Sequence, residues 1–281
     1  MTLRKYYDDE DLTMATKFLR RSTRILVLNP NSSESMTHGV EDAIRTLHLS
    51  PSTEIYTYTA PTGSPASIND GEDVLRSSEI VYLDLTKTGA LKQYDAVLVA
   101  CFSVHPLVQL LGAEEGARGK LVVSGIFEAG VLASIALLAQ PPLHTAAPRK
   151  WGIVTTRKFW EAHLTRGVNA FLGTDLEALN EKFAGVETTG LDAGDFHGGV
   201  SPEVIRQKLV EATKRLLGRG LVDCVVMGCA GMAGLEEIIR SAAIDEYGPE
   251  QGGQVFIIDG VKAGIGLLEQ TVQNKEMFRR A

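Results

Sequence analysis

Two cysteines stand where an apolar run breaks. From Asp223 to Leu235 the run Cys224-Val225-Val226-Met227 passes through Gly228 to Cys229, and Ala230-Gly231-Met232-Ala233-Gly234 follows. The run predicts a buried parallel strand and the small residues predict the opening of a helix. Earlier, Ala96-Val97-Leu98-Val99-Ala100 ends at Cys101 and leads through Phe102-Ser103-Val104-His105-Pro106 into a further helix. In open α/β sheets ligands collect outside the carboxyl ends of the strands, where helix N-termini present unpaired N–H groups. A thiol there is expected to have its thiolate stabilised by the helix dipole, with a pKa lowered from about 8.5. The competing role is a buried core thiol. Cys224, inside its strand, reads as core.

The two halves of the chain can be laid on each other. Cys101 and Cys229 are 128 residues apart, and the ends of the first strands of the halves, Pro30 and Thr156, are 126 apart. Ile126-Phe127-Glu128-Ala129-Gly130 resembles Gly260-Val261-Lys262-Ala263-Gly264, at an offset of 134 from Glu128 to Lys262. Near-constant offsets over three landmarks are what a duplicated βα unit produces. Two similar lobes facing each other would put Cys101 and Cys229 on opposite walls of one cleft. A thiolate on one face of a carbon and a thiol on the other are the parts of a racemase: one removes the proton, the other delivers one.

Several function classes are excluded by composition. Among 281 residues the net charge is -7, with acidic and basic residues mixed, so no basic stripe serves nucleic acid or an anionic membrane. Twenty-eight glycines and 6% aromatic residues suit an α/β protein with many tight turns. Three cysteines do not make a disulfide framework and point to a reducing compartment. Met1-Thr2-Leu3-Arg4-Lys5 runs into Tyr6-Tyr7-Asp8-Asp9-Glu10-Asp11 rather than an apolar stretch, and Val131 to Ala139 is too short to span a bilayer. A soluble cytoplasmic protein is expected.

The elements that must position the thiols follow from periodicity. Residues 1–21 read as an arm outside the fold. Ile25 to Leu28 predicts a strand broken by Asn29-Pro30-Asn31-Ser32-Ser33, with a helix running to Leu47 capped by one of Ser32, Ser33 or Ser35. A strand at 54–59 precedes the irregular loop 60–70, placed where it could cover a site, and a helix at 71–88. Strands at 121–126, 151–154, 186–191 and 255–259 and helices at 128–138, 202–217 and after Asp259 complete the pattern. Pro141 to Pro148 reads as a linker, and 192–201 as a glycine-rich loop.

Leu28-Asn29-Pro30-Asn31-Ser32-Ser33 with Met36-Thr37, Ala100-Cys101-Phe102-Ser103, Gly228-Cys229-Ala230-Gly231-Met232 and Ile258-Asp259-Gly260-Val261 together resemble the hydantoin and allantoin racemase branch of the aspartate/glutamate racemase superfamily. The resemblance covers about 24–268. It implies an α/β fold of two similar lobes with mostly parallel sheets in a pseudo-twofold arrangement, the active site lying between them. It implies that the helix after each fourth strand crosses to the other lobe, giving a first lobe of 22–126 plus 261–281 and a second of 127–260. It also implies an isomerase that uses Cys101 and Cys229 without metal or cofactor, a small-molecule substrate and a homo-oligomer. Phe102-Ser103 and Ala230-Gly231, where amino-acid racemases of the superfamily carry Asn-Thr and Thr-Glu, suit a neutral five-membered ring better than a zwitterion. Decarboxylation, cis-trans isomerisation or amino-acid racemisation on the same fold, and a non-enzymatic two-lobed binding protein, are the alternatives.

A hydantoin C5 proton lies between a ring nitrogen and a carbonyl, and its removal leaves an enolate oxygen that needs donors. The backbone N–H groups of Phe102, Ser103, Ala230 and Gly231 are expected to supply them. Asn31 can donate to and accept from a ring amide, or serve as a turn asparagine. Ser103 and Thr156 can bond a ring or cap a helix. His105 suggests a Cys-His pair with Cys101, against which Pro106 perturbs the helical spacing, while no further ligands stand at metal spacing. His197 reads as a surface residue, and Glu128 as a helix-start carboxylate that could orient a ring N–H.

Overall fold

The structure is a computed structural model that describes residues 22–116, 121–138, 148–175 and 180–278. The expected arm and residues 141–147 of the expected linker lie outside the described residues. Among the described residues eight strands form two four-stranded parallel sheets: β1 (Thr23–Asn29), β2 (Thr53–Thr59), β3 (Ala96–Val99) and β4 (Val122–Gly125) in the order β2-β1-β3-β4, and β5 (Lys150–Thr155), β6 (Phe183–Thr188), β7 (Val222–Met227) and β8 (Phe256–Asp259) in the order β6-β5-β7-β8. The same order twice is the duplication seen in the sequence. Even single bonds repeat: Ala100 N–H donates to Leu28 O at 2.8 Å in one sheet, and Gly228 N–H to Val154 O at 2.7 Å in the other. Each bond leaves the following cysteine just beyond the end of a central strand.

These strands are near-continuous apolar runs because helices cover both faces. β3 is buried throughout, as is the Val225-Val226-Met227 end of β7. The helices are α1 (Glu34–Arg45), α2 (Gly71–Thr88), α3 (Pro106–Gly116), α4 (Ile126–Leu137), α5 (Phe159–Phe171), α6 (Pro202–Leu217), α7 (Glu236–Gly253) and α8 (Gly260–Phe278). Their starts are set by short polar side chains: Ser33 accepts from Met36 N–H, Asp70 from the N–H groups of Glu72 and Asp73, and Ser201 from Val204 N–H. α2 stops at Gly89, whose φ of 63° only glycine adopts cheaply.

Two expectations are corrected. The strand expected at 186–191 is β6, Phe183–Thr188; Gly185, at φ 104°, interrupts the apolar run early in the strand, and Gly190 at φ 79° turns the chain away after it. The segment after Cys229 forms only a 3-10 turn, Ala230–Met232, and α7 begins at Glu236. Gly234 lies between them with a left-handed φ of 85°, which stops the turn from continuing as a helix.

α4 packs on β7 and β8, α8 packs on β1, β3 and β4, and the two helices pack on each other. The helix after each fourth strand therefore covers the other sheet. Close approach makes this possible: a Cβ at Gly130 would stand 3.0 Å from Val226 Cγ1, and one at Gly264 would stand 2.5 Å from Leu98 Cδ1. One core cluster spans both sheets through this exchange, with Leu98, Phe102 and Leu268 alongside Phe127, Trp151 and Val226.

Candidate active site

The strand ends of the two sheets meet around one cavity. It is lined by Asn31, Met36, Ile68, Ala100, Cys101 and Phe102 from one side and by Thr156, Trp160, Ala193, Gly228, Cys229 and Ala230 from the other. The space encloses about 360 Å³, solvent at its mouth included. Besides the two thiols, no lining side chain is ionisable.

Cys101 is held by a tight turn after β3, in which Ser103 N–H donates to Cys101 O at 3.0 Å. The buried Ser103 hydroxyl lies 3.4 Å from Cys101 Sγ. The Phe102 ring faces the lobe junction, edge-on to Phe127 at 5.7 Å between centroids. On the opposite wall Gly231 N–H points at Cys229 Sγ from 3.3 Å, and Thr155 Oγ1 fixes the approach by donating to Gly228 O at 2.6 Å. Of the four N–H groups expected to serve a ligand, Ser103 and Gly231 are thus already engaged.

Burial decides the acidity of both thiols. It pushes Cys101 up to about 12, against relief from the Ser103 hydroxyl, and the charges of Cys229 and Glu128 push the same way. It pushes Cys229 up to about 11, against relief from the N–H groups of Gly231 and Met232. The expected lowering by a helix dipole is corrected: Cys229 meets a single 3-10 turn rather than a helix, and α3 begins only at Pro106, so desolvation wins. A charge on Cys229 thus makes Cys101 harder to ionise.

Asn31 is buried and preset. Its Oδ1 accepts from Asn29 Nδ2 and Ser33 N–H, each at 3.0 Å, and its Nδ2 has only the thioether of Met36 at 3.3 Å. A thioether is a weak acceptor, so a better one in the cavity would capture that amide. Asn29 Nδ2 also reaches Ser33 O and Thr37 Oγ1, at 3.1 and 3.0 Å. Thr156, buried just past the end of β5, lines the same cavity.

The loop after β2 does cover the site. Ile68 lines the cavity, Ser32 N–H holds Pro65 O at 3.0 Å, and Asn69 Oδ1 accepts from Ala193 N–H across the cleft at 3.4 Å. Met36, Ile68, Trp160 and Ala193 were not anticipated. Only Trp160 offered a signal, as one of two tryptophans in the chain, set in the first turn of the helix after Thr156.

His105 makes no pair with Cys101. Its Nδ1 accepts Leu107 N–H at 3.3 Å, so its proton lies on Nε2, 3.2 Å from Ser77 Oγ on α2. Burial pushes its pKa down to about 4, and the ring is a neutral structural link. Glu128 lies in the first turn of α4; burial pushes its carboxyl pKa up against the backbone N–H groups of Glu128 and Gly125. Its Oε2 is buried without a partner. His197 is not the surface residue expected: it is half-buried, and its Nε2 is sealed.

Comparison with known proteins agrees with this architecture. An uncharacterized protein of Schizosaccharomyces pombe is 31% identical over 250 residues, covering 89% of this chain and 92% of that protein. A hydantoin racemase of a Pseudomonas species is 27% identical, covering 89% of this chain and 86% of that one. Among solved structures, an allantoin racemase from Klebsiella pneumoniae has the same fold, with a TM-score of 0.68 and 24% identity over 90% of this chain and 89% of that one. No described helix is long and apolar enough to cross a membrane. The family model for Asp/Glu/hydantoin racemases matches residues 25–268, and the chain belongs to that family.

Proposed function

We propose that this chain is a racemase or epimerase that needs no metal or cofactor and inverts the C5 centre of a hydantoin-type ring, hydantoin or allantoin, using Cys101 and Cys229 as its two bases. The observation that carries the reading is the placement of both thiols on one cavity that has no other ionisable lining. A neutral ring can enter such a space without losing an ion's hydration, whereas a zwitterionic amino acid would find no cationic side chain in the lining for its carboxylate. Arg157, next to Thr156, does not supply one, because its guanidinium is held by both oxygens of Asp192.

The chemistry follows from the burial. A desolvated thiolate is scarce but strongly basic, and that basicity narrows the gap to a carbon acid. One thiolate takes the C5 proton from its face while the opposing thiol gives up its own to the other face. The product leaves with the roles of the cysteines exchanged. The enolate oxygen would be met by the N–H groups of Phe102 or Ala230, and the ring amide by Asn31 Nδ2 and Thr156. Ser103 would act on the Cys101 thiolate through its hydroxyl rather than on the ring. The names of the hydantoin and allantoin racemases among the similar proteins support the same substrate class.

The test is incubation of each enantiomer of a 5-substituted hydantoin or of allantoin in deuterated water, corrected for spontaneous exchange. The native protein should invert the centre with deuterium incorporation. Cys101→Ser and Cys229→Ser should each lose inversion, and exchange from a single face is compatible with the scheme. Full turnover by either variant would end the two-base reading.

A further inference from the structure

An imidazole stands behind Cys229. His197 ends the 3-10 turn Ala193–His197, and its ring is wedged between glycines of the two lobes: a Cβ at Gly39 of α1 would stand 2.7 Å from Cε1, and one at Gly231 would stand 3.4 Å from Nε2. The same Gly231 point lies 3.5 Å from Cys229 Sγ, so Nε2 and Sγ are no more than about 6.9 Å apart. Nε2 is buried without a hydrogen-bond partner. The ring also lines a second, open groove between α1 and the turn after Cys229, shared with Asp42, Thr46 and Lys262. His197 thus extends from the groove to within about 6.9 Å of the thiol, with Gly231 between them.

The charged groups around it are few. α1 brings Asp42 and α8 brings Lys262, whose Nζ is held by Glu236 Oε1 at 2.7 Å. Asp195, on the same 3-10 turn, is occupied with Asp192 N–H at 2.8 Å. The turn Ala230–Met232 adds no titratable side chain, so the nearest group able to exchange charge with the ring across Gly231 is Cys229.

We propose that Cys229 and His197 form a coupled proton pair. When the Cys229 S–H bond breaks, its proton leaves to water, and a proton from the groove forms an N–H bond on the imidazole. Nothing is oxidised or reduced, and the wall stays neutral overall. A thiolate beside an imidazolium becomes available at a pH well below the value that burial alone sets. The inference rests on Cys229 being a proton-carrying thiol of the site, and it assigns His197 a role that acts through Cys229 rather than on the substrate.

The pair predicts a pH signature that packing alone cannot give. Converting thiol plus neutral imidazole to thiolate plus imidazolium takes up no net proton, so the population of that form does not change with pH until the imidazole is protonated beside the intact thiol. The experiment is alkylation of the full native chain with iodoacetamide from about pH 5 to about pH 9, with modification of Cys229 followed by peptide mass spectrometry. The native rate should fall with pH and then level off below neutrality. In His197→Gln, and in His197→Asn as a second variant, it should continue to fall about tenfold per pH unit. A tenfold fall per unit throughout in the native protein overturns the proposal, and so does a level region that survives in either folded variant. The native result stands even if a variant fails to fold. No substrate is involved, so failure here is distinct from failure to invert a hydantoin.

Discussion

Gly130 lies where α4 crosses onto the second sheet, and adding one methyl there tests how tightly the lobe junction controls the Cys101 wall. A Cβ would stand 3.0 Å from Val226 Cγ1 and 3.1 Å from Phe102 Cε2. Ordinary contact between carbons is about 3.5–4.0 Å, so both neighbours must yield by roughly half an ångström. Val226 is fully buried on β7, and Phe102 is backed edge-on by Phe127, so neither has free space to move into. Alanine in place of a helical glycine gains about 1 kcal/mol from propensity, while overpacking a filled core costs about 1–3 kcal/mol. The expected net result for Gly130→Ala is a loss of about 1 kcal/mol, or a midpoint lower by roughly 2–4 °C in thermal denaturation. Because Phe102 adjoins Cys101, a shift of this size should also, on the proposed reading, slow inversion roughly tenfold, scaled from about a hundredfold per ångström of misplacement. Gly112 on α3 and Gly266 on α8 are the controls, since a Cβ at either meets nothing within 4 Å. Gly112→Ala and Gly266→Ala should each gain up to about 1 kcal/mol and leave the rate alone. If Gly130→Ala is stabilised as they are, the reasoning about the junction is wrong.

Titration of the buried groups yields two more predictions. Cys229 has a folded pKa of about 11 against an ordinary 9.0, so its contribution to stability is complete below pH 9 and is lost as pH rises toward 11. With a discount for the side of the thiol that opens on the cavity, Cys229→Ser should lose about 1–2 kcal/mol less than the native protein over that window in urea titrations. His105 has the opposite sign: its pKa of about 4 lies below the ordinary 6.5, so its contribution is complete above 6.5 and is lost as pH falls toward 4. His105→Gln should remove about 3 kcal/mol of acid sensitivity, read by urea unfolding at neutral pH and near pH 4. Asn29→Ala takes away the buried amide that links Asn31, Ser33 and Thr37. It should cost about 2 kcal/mol in urea unfolding and, on the proposed reading, raise KM more than it lowers kcat because Asn31 loses its anchor.

Much of the site was legible because its signals were local. The apolar runs ending at Cys101 and Cys229 mark both strands, and their matched spacing puts the thiols in equivalent positions of the two halves. Leu28-Asn29-Pro30-Asn31 likewise marked a strand end with a polar turn. What stayed hidden depends on distant neighbours. Ile68 and Trp160 reach the cavity only through the path of a loop and the first turn of a helix; nothing in the segment of Ile68 marks it as lining, and Trp160 stands out only by its rarity. The acidity of the thiols is hidden for the same reason: small residues after Cys229 resemble a helix start, but Gly234 stops the helix and burial of the sulfur raises its pKa. His197, which a glycine-rich loop suggests is exposed, is half-buried because its ring packs between Gly39 and Gly231, which lie far from it in sequence.

The exchange of α4 and α8 between the sheets has a consequence for how such a molecule can be divided. Each half of the sequence ends in the helix that the other half's sheet requires. A half made alone would expose the apolar strand faces that its missing helix covers, and its own last helix would have no sheet to lie on. Two copies of one half could satisfy each other by trading helices, and the present chain has the same arrangement with the two copies fused in tandem. Joining the halves lets their sequences diverge, so that the two walls of the cleft carry different neighbours, Glu128 beside one sulfur and His197 behind the other. A symmetric ancestor would have had to give both walls the same residues.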